Sequence, residues 1–158
     1  MTIDFHGAKI ALLLGEERLL AYQRDDKAGI PFPGCWDLPG GGREGDETPV
    51  ECVLREVDEE FGLSLAPDVV HWIRAYPSQR RRGAASYFMV GALTPEQCAA
   101  IRFGEEGQQW ALMEVEVFLN HANAVPHLQR RLRGYLEQAG EALNPFAATK
   151  SLPDGSRA

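Results

Sequence analysis

The chain has 158 residues, enough for one domain that buries about two thirds of its surface on folding, and its hydrophobic content of 44% is ordinary for a globular protein. A formal net charge of −7 argues against a nucleic-acid polymer or an anionic membrane as principal partner, because both reward a basic surface. Cys35, Cys52 and Cys98 have no metal or redox spacing and read as reduced thiols, and no basic leader or long apolar run is seen, so a cytoplasmic, membrane-free protein is expected.

Lys9 to Leu14 and Arg18 to Gln23, separated by Gly15-Glu16-Glu17, read as two strands around a tight turn. Arg24 to Cys35 holds Gly29, Pro31, Pro33 and Gly34, too many breakers for a helix. This loop runs into Trp36-Asp37-Leu38-Pro39 and is expected to form one wall of a site. The Gly40-Gly41-Gly42 triplet can turn sharply and bring bare backbone close to a ligand; it lacks the Lys-Ser/Thr partner of a P-loop.

Thr48-Pro49-Val50-Glu51 is a capping box, with Pro49 where a missing N–H costs nothing, so a helix is expected to start here. Val50, Val53, Leu54, Val57 and Phe61 then fall within roughly 60° of Val50 on the helical wheel, a narrow apolar stripe, and Gly62 ends the helix as a left-handed cap. Glu56, Glu59 and Glu60 are i, i+3 and i+4 neighbours away from that stripe. Carboxylates so placed repel, which calls for a positive counter-charge. An oxygen-only set without Cys or His favours Mg²⁺ or Mn²⁺, whereas the plain structural reading is a solvated acidic face. Arg55 stands i+4 from Glu51 and i−4 from Glu59 and can hold the Glu59 carboxylate.

Val69 to Tyr76 and Ser86 to Leu93 read as a long hairpin whose connection carries Arg80-Arg81-Arg82-Gly83. Arg80 and Arg82 can hold substrate phosphates, or the triplet keeps a hairpin tip soluble. Thr94-Pro95-Glu96 opens a short helix, and Gln108 to Leu112 reads as a strand. Trp110 on it can flank a nucleobase or belong to the core or its rim. Val125 to Ala139 is an amphipathic helix with Leu128, Leu132, Tyr135 and Leu136 on one face. Asn144 to Ala158 has no periodicity and reads as a tail, leaving residues 1–143 as a single domain. His6, His71, His121 and His127 show no ligand spacing and read as structural or solvated.

Gly41, Glu47, Arg55-Glu56-Val57, Glu59-Glu60 and Gly62-Leu63 together resemble the signature of the Nudix hydrolases, of the MutT-like kind, at every specified position over Gly41 to Leu63. The resemblance implies an α/β/α sandwich with a mixed sheet and hydrolysis of a nucleoside diphosphate linked to another group. It implies Glu56 and Glu60 as main metal ligands and Glu59 as a further ligand or the group that orients or deprotonates water. Arg55 would fix the geometry of Glu59, and Glu47 would support the loop. In the family the carbonyl equivalent to that of Gly40 joins the metal site, and a Glu-Gly-Gln sequence before a Trp-containing strand can add a carboxylate, a place that Glu106 matches better than Glu105. The size and MutT-like layout favour a nucleoside triphosphate, an oxidised one included, cleaved to a monophosphate and pyrophosphate; a monomer or homodimer is expected. ADP-ribose or another nucleotide sugar is the alternative, with Pro77 close to but out of register with the proline that the ADP-ribose subfamily places after the signature. A sensor that binds a nucleotide without cleaving it is the reading from a different class, and such domains tend to lose the signature carboxylates.

Overall fold

The computed structural model describes residues 4–78 and 80–143, the last three by backbone only. The expected tail, residues 144–158, lies outside the described residues. The elements in chain order are β1 (Phe5–Leu14), β2 (Arg18–Gln23), β3 (Trp36–Asp37), β4 (Gly40–Gly42), α1 (Pro49–Phe61), a single 3₁₀ turn (Pro67–Val69), β5 (Val70–Pro77), β6 (Ala85–Ala92), α2 (Pro95–Ala99), β7 (Gln109–Glu114), α3 (Val115–Asn120) and α4 (Pro126–Leu143).

Seven strands make one sheet, parallel between β1 and β6 and antiparallel at the other pairings between strands, so it is mixed as expected. The feature that creates a site is a split between β1 and β2. These strands pair only at Leu13↔Leu19 and Leu14↔Arg18 and then diverge. The segment from Trp36 to Gly42 bonds to both sides of the opening: β3 pairs with β2 at Tyr22↔Asp37, while β4 pairs with β1 at Lys9↔Gly40. The glycine triplet is therefore a short strand as well as a turn. Only glycine fits its first position. Gly40 has φ +136°, and a Cβ there would lie 2.1 Å from the Ala8 carbonyl oxygen.

Alternation along the strands sends side chains to two cores. Ile10, Leu12, Leu20 and Met89 face α1, where Cys52, Val53, Val57 and Phe61 are fully buried. Ala11, Leu13, Leu19, Phe88 and Val90 face α3 and α4, meeting Phe118, Leu128 and Leu132. The result is the α/β/α sandwich, each fully buried Leu, Val or Phe contributing about 1.5–3 kcal/mol. Both halves of the Thr48–Glu51 capping box form, and Gly62 caps α1 at φ 66°. α3 has no counterpart in the sequence reading. It follows β7 directly, with no glycine or proline between them and no side-chain hydrogen bond at its start.

Candidate active site

A cavity of about 310 Å³ opens where the split in the sheet meets α1. Gly40, Gly41 and Gly42 line it beside Glu56 and Glu60, with Lys9, Tyr22 and Asp37 from the divergent strands. Arg24, Pro31 and Phe32 supply the wall expected of the Arg24 to Cys35 loop. Ser78 and Arg80 from the hairpin connection, Glu106 from the loop before β7 and His127 from α4 complete the rim.

Glu60 is the least solvated of the α1 acids. It is 8% exposed, and its Oε1 accepts from the Gly40 N–H at 3.3 Å. Among the described residues no basic side chain pairs with it. Burial pushes its carboxyl up to about 8; Lys9 opposes this and Glu56 adds to it. Glu56 also lies above the usual carboxylate range through burial, which Arg55 partly offsets. Two largely desolvated carboxylates one helical turn apart, with the Gly40 turn against Glu60, form an oxygen-only donor set in which Glu56 is paired with Arg55 and Glu60 has no basic partner among the described residues. These residues fit a hard divalent cation. Among the described residues no three Asp, Glu, His or Cys side chains converge on one point, because Glu59 turns towards Arg55 and not into the cavity.

Arg55 holds the outer carboxylates together. Its Nε donates to Glu47, its Nη1 to Glu56 at 3.1 Å and Glu59 at 3.2 Å, and its Nη2 to the Gly42 carbonyl at 2.9 Å and to Glu47 at 3.2 Å. The expected Arg55–Glu59 pair exists, but the tighter anchor is Glu47, whose carboxyl the Arg55 hydrogen bond holds below the usual range. That bond ties the loop before α1 to the helix. It puts Glu56 on the inner side of the guanidinium and leaves Glu59 outside, its side chain 58% exposed.

Asp37 organises the opposite wall, unrecognised in the sequence. Its side chain is 3% exposed, yet it accepts from Lys9 Nζ at 3.0 Å, Arg24 Nη1 at 2.9 Å and the Leu38 N–H at 2.7 Å. Burial raises its pKa, but Lys9 first and then Arg24 outweigh that and hold the carboxyl low. Lys9 also donates to the carbonyls of Leu38 at 3.1 Å and Gly40 at 3.2 Å. The ion pair thus fixes the turn that faces Glu60.

Glu56, Glu60, Gly40, Glu106 and Arg80 are thus brought to one cavity, with Arg55 and Glu59 at its outer edge. Arg82 and Trp110 lie outside it. Arg82 is exposed on the hairpin connection, and Trp110 pairs with Tyr22 and packs against the α1-side core. Lys9, Asp37 and Phe32 line the cavity without having been singled out, and His6 and His127, read as structural or solvated, line it as well. Of these only Asp37 carried a signal, as a charge within an otherwise apolar strand-like run. Cys52 is buried under the glycine turn, its thiol pushed up to about 12 by burial, with Glu47 adding to the rise. All three cysteines are free thiols.

A mixed sheet that splits around a glycine turn, with a carboxylate-bearing helix closing on the opening, defines an α/β fold with an acidic cleft. A NUDIX domain model matches residues 4–133, and the chain belongs to that family. A stretch of 65 residues is 43% identical to a MutT-like protein of Streptomyces ambofaciens, covering 40% of this chain and 38% of that one. Another of 58 residues is 41% identical to an RNA pyrophosphohydrolase of Gluconacetobacter diazotrophicus, covering 35% of each. A third, of 57 residues, is 35% identical to an 8-oxo-dGTP diphosphatase of Proteus vulgaris, covering 36% of this chain and 51% of that one. The chain therefore spans from about a third to a half of the length of these curated relatives. Among solved structures, a MutT protein from Methanosarcina mazei Go1 superposes with a TM-score of 0.68 at 18% identity, over 88% of this chain and 98% of that one. A Nudix hydrolase from M. smegmatis gives 0.66 at 16%, over 87% and 89%. Identities this low show a shared fold. Among the described residues no helix is long and apolar enough to cross a membrane.

Proposed function

We propose that this chain hydrolyses a phosphoric anhydride bond in a nucleoside diphosphate linked to another group, with a nucleoside triphosphate as the preferred substrate and Mg²⁺ or Mn²⁺ as the metal. The observation that carries the proposal is the pairing of Glu56 and Glu60, both desolvated and Glu60 without a basic partner among the described residues, with the Gly40 turn at the base of an open cavity. The intact carboxylate set disfavours a sensor that binds without cleaving. The relative named as an 8-oxo-dGTP diphosphatase supports a nucleoside triphosphate.

Glu56, Glu60 and the Gly40 carbonyl would hold the metal, with Glu106 reaching in from the opposite rim. When bound, the metal neutralises charge on the bridging and terminal phosphate oxygens and lowers the pKa of a bound water. Arg55 keeps Glu56 turned inward. It also leaves one Glu59 carboxylate oxygen without an arginine partner, and that oxygen orients or deprotonates water at the cavity edge. Arg80, on the hairpin side, meets the substrate phosphates.

Glu60→Gln keeps the shape of the side chain and relieves repulsion, so it should fold normally and lose most Mg²⁺-dependent turnover. The assay is nucleotide-product release over nucleoside triphosphates, ADP-ribose, dinucleoside polyphosphates and a 5′-triphosphorylated oligonucleotide, with and without Mg²⁺. Normal turnover by the variant would sink the assignment, and no turnover by the wild type on any of these would favour the sensor.

A further inference from the structure

Arg131 on α4 is 6% exposed. Among the described residues its guanidinium donates one hydrogen bond, to the Ser86 hydroxyl at 3.2 Å, and lies 4.4 Å from the centre of the Tyr76 ring. No carboxylate pairs with it among the described residues. A guanidinium presents five N–H donors in a planar fork, so a hydroxyl and a ring face leave most of them unused. Burying a cation without counter-charge is strongly unfavourable, and such a group needs an explanation beyond packing.

Its neighbours add positive charge. Arg131 lines a second hollow of about 260 Å³ together with Tyr76, Pro77, His127 and Arg130, and no acidic side chain is among them. Arg74 lies 5.3 Å from the centre of the same Tyr76 ring. In a chain of net charge −7 this concentration of arginine is local. The hollow also adjoins the catalytic cavity, since His127 lines both and Ser86, the acceptor for Arg131, lines the cavity.

We propose that this hollow is an oxyanion subsite that takes a phosphate group through Arg130 and the unused donors of Arg131. A guanidinium fork matches two phosphate oxygens. The phosphate has two possible sources, a further phosphate on the substrate, remote from the anhydride being cleaved, or a free phosphate product. The first source rests on the hydrolase reading above, whereas the binding site itself does not.

The test begins without metal. Inorganic phosphate is titrated in EDTA, where the α1 carboxylates repel anions, and is followed by calorimetry and by the thermal midpoint of wild type, Arg131→Met and Arg130→Ala. The wild type should bind phosphate and melt higher with it. Arg131→Met should lose about 10- to 100-fold in affinity, the loss expected for a charge-assisted hydrogen bond, while melting without ligand at or above the wild type because a buried uncompensated charge is gone. Arg130→Ala, a change at an exposed position, should weaken phosphate several-fold with an unchanged midpoint. In turnover, a KM raised by Arg131→Met only for substrates carrying an additional phosphate identifies the substrate source; loss of phosphate inhibition with every KM unchanged identifies the product source. Equal phosphate affinity in wild type and Arg131→Met overturns the proposal. If Arg131→Met does not fold, equal affinity in wild type and Arg130→Ala overturns it. Phosphate binding that survives in a wild type without turnover would count against the hydrolase reading alone.

Discussion

Gly41→Ala separates the geometry of the site from the stability of the fold. Gly41 does not have a positive φ, so alanine can adopt its backbone. A Cβ built there would lie 2.5 Å from Glu56 Oε2 and 2.7 Å from its carboxyl carbon. Ordinary van der Waals contact begins near 3.4 Å, so the carboxylate must retreat by about 0.9 Å, and a misplacement of that order can cost about 100-fold in rate. The group that moves is the end of a flexible side chain, so the folding cost should stay within about 1 kcal/mol, helped by the lower chain entropy of alanine in the unfolded state. Arg55 retains Glu47 and Glu59 when Glu56 shifts. The assay pairs urea denaturation with Mg²⁺-dependent turnover and Mn²⁺ binding. A normal urea midpoint, weakened Mn²⁺ binding and roughly 100-fold slower turnover are expected. Turnover within about threefold of wild type would refute the placement of Glu56 at the reacting centre. Gly40→Ala is the contrast: its Cβ would meet backbone at 2.1 Å, and the variant should not accumulate as folded protein.

Asp37→Asn removes one charge from a buried ion cluster and should cost about 3–5 kcal/mol by urea denaturation. The folded-state pKa of Asp37 is depressed, so its contribution is present above its ordinary value near 3.8 and lost as pH falls further; the variant should lack that part of the acid slope. His127 has its pKa pushed down to about 4 by burial and then by Arg131. The folded state therefore favours the neutral ring, and stability should fall as pH drops from about 6.5 towards 4. The change is moderated by solvent because the ring is only half-buried, and His127→Asn in chloride buffer should flatten this window; parallel curves would refute the assignment. Thr48→Ala breaks the Thr48–Glu51 capping box and should cost about 1 kcal/mol of stability by urea denaturation, with a lower thermal midpoint, while leaving turnover intact.

The extent of α1, its two caps and its apolar stripe were determined by the sequence itself, because capping and i, i+3, i+4 packing join residues within one or two turns. The same locality made Glu56, Glu59 and Glu60 recognisable as a group. What tertiary structure decided is which of them is buried and what faces them. Glu60 becomes the desolvated acid and Glu59 the exposed one because the glycine turn arrives on one side of the helix, and that turn is set by β1 and β2 parting after two residue pairs. Lys9 and Asp37 are 28 residues apart, and no local pattern announces such a pair. The same holds for Arg131, which reads as one more charge on an amphipathic helix until β6 brings Ser86 against it. Short-range signals are written into consecutive residues; burial and counter-charge depend on which distant strand packs opposite, and only the folded chain decides that.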